Sequence, residues 1–257
     1  MTTSQASPSM RPTGTAARAR SQARFETHTL LANGEQLVVS IVLPAMALVA
    51  MALTTSPSLG AGRRIDLVMP GVLALAIVST AFTGQAIATG FDRRYGVLRL
   101  FGVTPLGRSG LLAGKAAAVL VVVVVQTIIL AIIGLAMGWN PDVTGIALAI
   151  VFALLGCWAW VALALLLAGA LRAEAVLAVA NLIWVLLAAV GGLLFPTDRM
   201  PSGVADVVRL LPSGALGDGL RAALTDHDGR LLLPLVVLVA WGCVATVLTA
   251  RTFKWSD

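Results

Sequence analysis

Residues 116–137 read AAAVLVVVVVQTIILAIIGLAM, 22 positions of which Gln126 and Thr127 alone are polar. An uncharged run of this length meets the ~20 residues that a helix needs to cross the hydrocarbon of a bilayer. It does not stand alone. Runs at Glu35–Leu53, Leu67–Thr89, Val143–Leu171, Ala175–Phe195 and Leu231–Ala250 meet the same criterion, so six membrane-spanning helices are predicted. Pro44 removes a helix hydrogen bond and predicts a kink in the first. The fourth is longer than the hydrocarbon is thick and should tilt or project from it.

Composition agrees. The 257 residues are 58% hydrophobic and 12% charged with mean hydropathy +0.94, against roughly 45–50% apolar and 25% charged in soluble domains. The division is a basic tail at 1–34, a membrane domain at 35–251 and a short tail at 252–257, which leaves no room for a soluble catalytic domain. Cys157 and Cys243 lie inside apolar runs without disulfide or zinc-ligand spacing and are expected to be inert thiols. The net charge of +6 sits beside spans rather than on an autonomous domain, so it speaks for orientation in the membrane and against nucleic acid as a partner. The first thirty-odd residues lack the apolar core of a signal peptide. After them SQARFETHTLLANGEQ offers a short surface helix carrying Phe25, Leu30 and Leu31.

With the N-terminus inside, the inner segments hold Arg11, Arg18, Arg20, Arg24, Arg93, Arg94, Arg99, Arg108, Lys115, Arg172, Arg251 and Lys254. The outer segments hold Arg63, Arg64, Arg199, Arg209, Arg221 and Arg230. The positive-inside rule therefore predicts a multi-pass protein of the cell membrane with both termini cytoplasmic, although Arg63 and Arg64 run against it. The outer connection from Thr197 to Arg230 is patterned. Val204, Val207, Val208 and Leu211 fall on one helical face behind Ser202 as N-cap, and Leu216, Leu220 and Leu224 recur at spacings of four. Two short amphipathic helices within 201–225, lying at the outer membrane surface among the lipids, are the expectation.

Several chemistries are disfavoured. His28 and His227 fall outside the spans, so no nucleophile and base meet at membrane depth. No Asp or Glu lies within a span except Glu35 at an edge, which argues against proton or sodium coupling and for energy supplied from outside the chain. GLLAGKA at Gly110–Ala116 lacks the first Gly and the final hydroxyl of a phosphate-binding loop, so no ATP or other cofactor site is expected on this chain. Gln85, Gln126 and Asn181, with scattered Ser and Thr, are the polar residues within spans, as inter-helix hydrogen bonders first and as pathway contacts second. Gly134 and Gly138 would permit close helix approach.

Between the second and third spans stands DRRYGVLRLFGVTPLGRSGLLAGK, Asp92 to Lys115. Over Asp92–Phe101, Tyr95 and Leu98, together with Phe101 and Val97, can line one side of a short helix, with Arg93, Arg94 and Arg99 toward headgroups or a partner. Gly102, Pro105 and Gly107 then break it. The residues Asp92, Arg93, Gly96, Leu98, Leu100, Thr104, Pro105, Arg108, Gly114 and Lys115, with ANGEQL at Ala32–Leu37, resemble the signature of type-2 ABC transporter permeases, in particular actinobacterial drug-export permeases. Arg94 and Val97 depart from that pattern, where family members commonly carry an acid and a Thr. The importer loop with its Glu-Ala-Ala start is not visible.

The resemblance implies an all-α membrane permease without ATPase activity of its own, working as two membrane halves, identical or paralogous, with separate ATP-binding subunits that carry ATP and Mg. Its coupling residues would be Asp92, Arg93, Arg94, Tyr95, Gly96, Leu98, Arg99, Thr104, Pro105 and Arg108. The expected function is export of a lipophilic or amphipathic solute such as a drug, antibiotic or lipid. The rival readings are a lipid-acting membrane enzyme built on Asp226, His227 and Asp228, and a non-transporting scaffold or immunity subunit.

Overall fold

The computed structural model describes residues 24, 27–28, 34–56, 59, 62–98, 107–225 and 231–253. Phe25, Leu30 and Leu31 of the expected surface helix, Arg99, Thr104 and Pro105 of the coupling segment, and the Asp226–Asp228 cluster lie outside the described residues, as do most of the 1–34 tail and 254–257.

The regular elements are helical: α1 (Gly34–Leu53), α2 (Arg64–Val78), α3 (Gln85–Arg94), α4 (Gly107–Ala136), α5 (Ile146–Ala170), α6 (Ala173–Val190), α7 (Ser202–Arg209), α8 (Pro212–Leu224) and α9 (Leu232–Thr252). A π-helical segment, Ser79–Gly84, joins α2 to α3 into one rod of 31 residues. That rod, α4, α5, α6 and α9 are each long and apolar enough to cross a membrane, and the apolar part of α1, Ser40–Leu53, is shorter. The expected spans thus correspond to helices with shifted ends, the largest shift being that of α4, which begins at Gly107 rather than Ala116. The second runs past Thr89 to Arg94, and the fifth stops at Val190 rather than Phe195, because Gly192 turns the chain with φ +79°. Pro44 and Pro70 both sit inside helices.

The rod is the axis of the bundle. Its most apolar window is 83% buried, against 17% for α6, whose Leu177, Leu182, Val185, Leu186 and Val190 are exposed. Without a hydrophobic drive between helices in lipid, close packing and hydrogen bonds must hold such a bundle. Gln126 supplies bonds across three elements: it accepts from Thr80 Oγ1 at 2.9 Å and donates to Ser40 O at 2.9 Å, linking the π segment, α4 and α1. Gly134 lies against Met69, where an added Cβ would sit 3.0 Å from the sulfur. Gly138 has a different task from the close approach expected of it: at φ +90° it ends the turn after α4.

The connection before α9 departs most from expectation. Ser202 is the first residue of α7, not its cap, and Pro201 precedes it without a side-chain cap bond. The expected apolar face is divided, with Val208 buried and Leu211 half-buried while Val204 and Val207 are exposed. Helix α8 does not lie on a surface at all. Leu216, Leu220 and Leu224 are buried on one side, and Gly214 and Gly217 on another, so it is wedged among α2, α5 and α9. The glycines make this possible: a Cβ at Gly219 would stand 2.6 Å from the Phe152 ring.

Where α6 unwinds, Arg221 of α8 donates to Gly192 O at 2.8 Å and to Leu193 O, and pairs with Asp218 at 3.3 Å. Asp218 in turn accepts from Thr197 Oγ1 at 2.5 Å. Non-helical backbone at membrane depth persists only where protein satisfies it. Arg221 meets that demand for Gly192 and Leu193.

Candidate coupling site

The site lies at the end of the bundle where α3 finishes and α4 begins. Basic residues in the last turn of a helix complement its macrodipole, and α3 closes with Arg93 and Arg94. Tyr95 N donates to Phe91 O at 2.9 Å and Gly96 N to Arg93 O at 3.1 Å, after which Gly96 adopts φ +73°. A side chain is strained there, so the helix ends at the glycine.

This break corrects the reading of Asp92–Phe101 as one short helix with Tyr95 and Leu98 on a common side. Asp92, Arg93 and Arg94 belong to the rod itself. Tyr95 is 71% exposed whereas Leu98 is 2% exposed, so the two do not share a face. Tyr95 stacks on Phe91 with ring centroids 6.1 Å apart, and the Arg94 guanidinium lies 6.0 Å from its ring centre.

The charged side chains have distinct fates. The Asp92 carboxylate accepts from Lys115 Nζ at 2.6 Å, joining α3 to α4. Lys115 is buried, where an ammonium persists only if it is paired. Arg93 is buried too, not turned to headgroups or a partner as expected. Its Nη1 donates to Ala168 O and its Nη2 to Leu171 O, each at 2.7 Å. Those carbonyls close α5, and the last carbonyls of a helix lack intrahelical donors. Arg94 forms an exposed ion pair with Glu174 in the first turn of α6. Arg108 stands in the first turn of α4.

The pathway candidates do not converge on one place. Gln85 donates to Thr89 Oγ1 at 2.9 Å within α3 and is buried. Gln126 takes the inter-helix role described above. Asn181 is exposed and donates to Leu177 O of its own helix at 2.9 Å.

Sequence reasoning passed over Glu174, Asp218 and Arg221. Glu174 follows Arg172 in the connection between the fourth and fifth spans, assigned to the same side as Arg94, and that shared side was a usable signal. For Arg221 the signal was the density of glycine in SGALGDGLR, which suits a helix packed on several sides better than one lying on a surface.

No curated protein matches the chain. The sequence profile of the family described as ABC-2 family transporter protein matches residues 33–251, from just before α1 into the last turn of α9. With a helical bundle of membrane-spanning length beneath that match, the chain belongs to the ABC-2 family and is a multi-pass membrane subunit of the ABC transporter permease kind.

Proposed function

We propose that the chain is the membrane half of an ATP-driven exporter, paired with a second half and with ATP-binding subunits that dock at the connection from Tyr95 to Arg108. The observation that carries this reading is Tyr95. A large aromatic side chain stands 71% exposed on a turn that the charged end of α3 braces against neighbouring helices. Exposed aromatic residues on rigid supports are what buried interface anchors are made of. The positive-inside count puts this end in the cytoplasm, where ATP is, and ATP and Mg would be bound by the partner alone. A lipophilic or amphipathic solute suits the interior, since Gln85 and Gln126 already bond to protein groups and present no fixed charge. Closure of the partner subunits on ATP supplies the differential affinity that moves such a bundle between two states.

The test is co-purification of the tagged chain from native membranes beside a Tyr95→Asp variant. An ATP-binding subunit should accompany the native chain and be lost from a variant that inserts equally well. Its absence from the native chain in several mild detergents would remove the energy source and the reading with it.

A further inference from the structure

Three successive residues at the end of α3 fasten to three different helices: Asp92 to Lys115 of α4, Arg93 to the final carbonyls of α5, and Arg94 to Glu174 of α6. With 3.6 residues per turn, consecutive side chains fan out by about 100° each, so one helix end can face several neighbours. The fastenings are unequal. Lys115 and Arg93 are buried, and pulling either from its partner breaks the pairing of a charge held away from water. The Arg94 and Glu174 side chains are 46% and 63% exposed, so their pair opens into solvent at little cost.

We infer that this triplet sorts the bundle end into a unit that moves together, the ends of α3, α4 and α5, and a helix that slips against it, α6. Asp92 and Arg93 are then positioning residues inside the permease rather than part of the surface that an ATP-binding partner grips. The inference rests on the proposed docking at Tyr95. Displacement of the Tyr95 turn reaches α5 through the two Arg93 hydrogen bonds and α4 through the Lys115 ion pair. Above Arg94, α3 and α6 meet through apolar contact, where a Cβ on Gly90 would lie 3.4 Å from Val176 Cβ.

The same closeness supplies the test, because Cβ atoms about 3.5–4.5 Å apart can carry a disulfide. In the purified complex with its ATP-binding subunit, the Gly90→Cys/Val176→Cys pair should cross-link under oxidant, lower ATP hydrolysis about tenfold and recover it on reduction. Undiminished hydrolysis by the cross-linked complex overturns the slip plane. In parallel, Arg93→Lys keeps a charge but not the fork that reaches both carbonyls. It should retain the ATP-binding subunit at the native ratio while hydrolysis falls about tenfold, the equivalent of one charged hydrogen bond lost. Loss of the subunit from Arg93→Lys, with Tyr95→Asp retaining it, assigns Arg93 to the docking surface and overturns the inference. Absence of the subunit from the native chain overturns the docking reading beneath it, a separate result.

Discussion

Asp92 and Lys115, 23 positions apart in sequence, meet at 2.6 Å where α3 and α4 come together. The lysine side chain is 4% exposed and the aspartate 31%. This asymmetry has a consequence for mutation. Asp92→Ala takes the ion-pair carboxylate from a buried ammonium, whereas Lys115→Met leaves a carboxylate that water reaches. Asp92→Ala should destabilise by about 3–5 kcal/mol and Lys115→Met by clearly less. Thermal unfolding of the purified protein in one detergent compares them, and equal losses would mean that water reaches Lys115 as well.

Gly96 has φ +73° with nothing within 4 Å of a would-be Cβ, so its only demand is on the backbone. Gly96→Ala should cost about 1–2 kcal/mol, and Gly96→Asn less, since Asn tolerates the left-handed region better. A melting temperature lowered by Ala and largely spared by Asn checks this. An equal drop for both would point to a side-chain contact instead.

For Gln126, Gln126→Leu removes the bonds to Thr80 and Ser40. The expected loss is about 0.6–1.7 kcal/mol, the range found for hydrogen bonds between membrane helices. Thr80→Val removes one of the same bonds, so the double variant should lose less than the sum of the singles. Additive losses in a denaturant series would show that the two residues act separately.

Gly219 and Phe152 are in direct contact, with no room between them for a methyl group. Gly219→Ala should destabilise by about 1–3 kcal/mol through overpacking. Gly219→Ala with Phe152→Leu should recover part of it. Absence of any recovery would place the strain in the α8 backbone rather than against the ring.

Arg221→Lys tests the unwound end of α6. Lysine cannot serve Gly192 O, Leu193 O and Asp218 with one planar fork. Loosening should appear as faster proteolysis within residues 191–201 while the spans stay protected. Unchanged cleavage there would mean that Asp218 and Thr197 hold the segment by themselves.

Hydrophobic run length alone dictated the bundle, because a bilayer leaves a long apolar segment few alternatives to a helix. The end of α3 at Gly96 was not read in advance, since a helix was expected to run on to Phe101 and break at Gly102. Charge placement was legible only as far as which side of the membrane it favours. Arg64, against the positive-inside rule, donates to Met51 O at the end of α1 at 2.5 Å; Arg93 serves the end of α5, and Arg221 the residues after α6. Each arginine meets carbonyls supplied by a different segment of chain, and no local pattern announces which one. The wedge of α8 was hidden for the same reason, since its leucine spacing fits a surface helix as well as a packed one. The sequence by itself determined that the chain folds as a bundle of long apolar helices and where those helices fall along it. Tertiary structure decided which charges are spent within the bundle and that Tyr95, at the end of α3, faces outward while Arg93 beside it does not, because pairing a buried charge depends on neighbours distant in sequence.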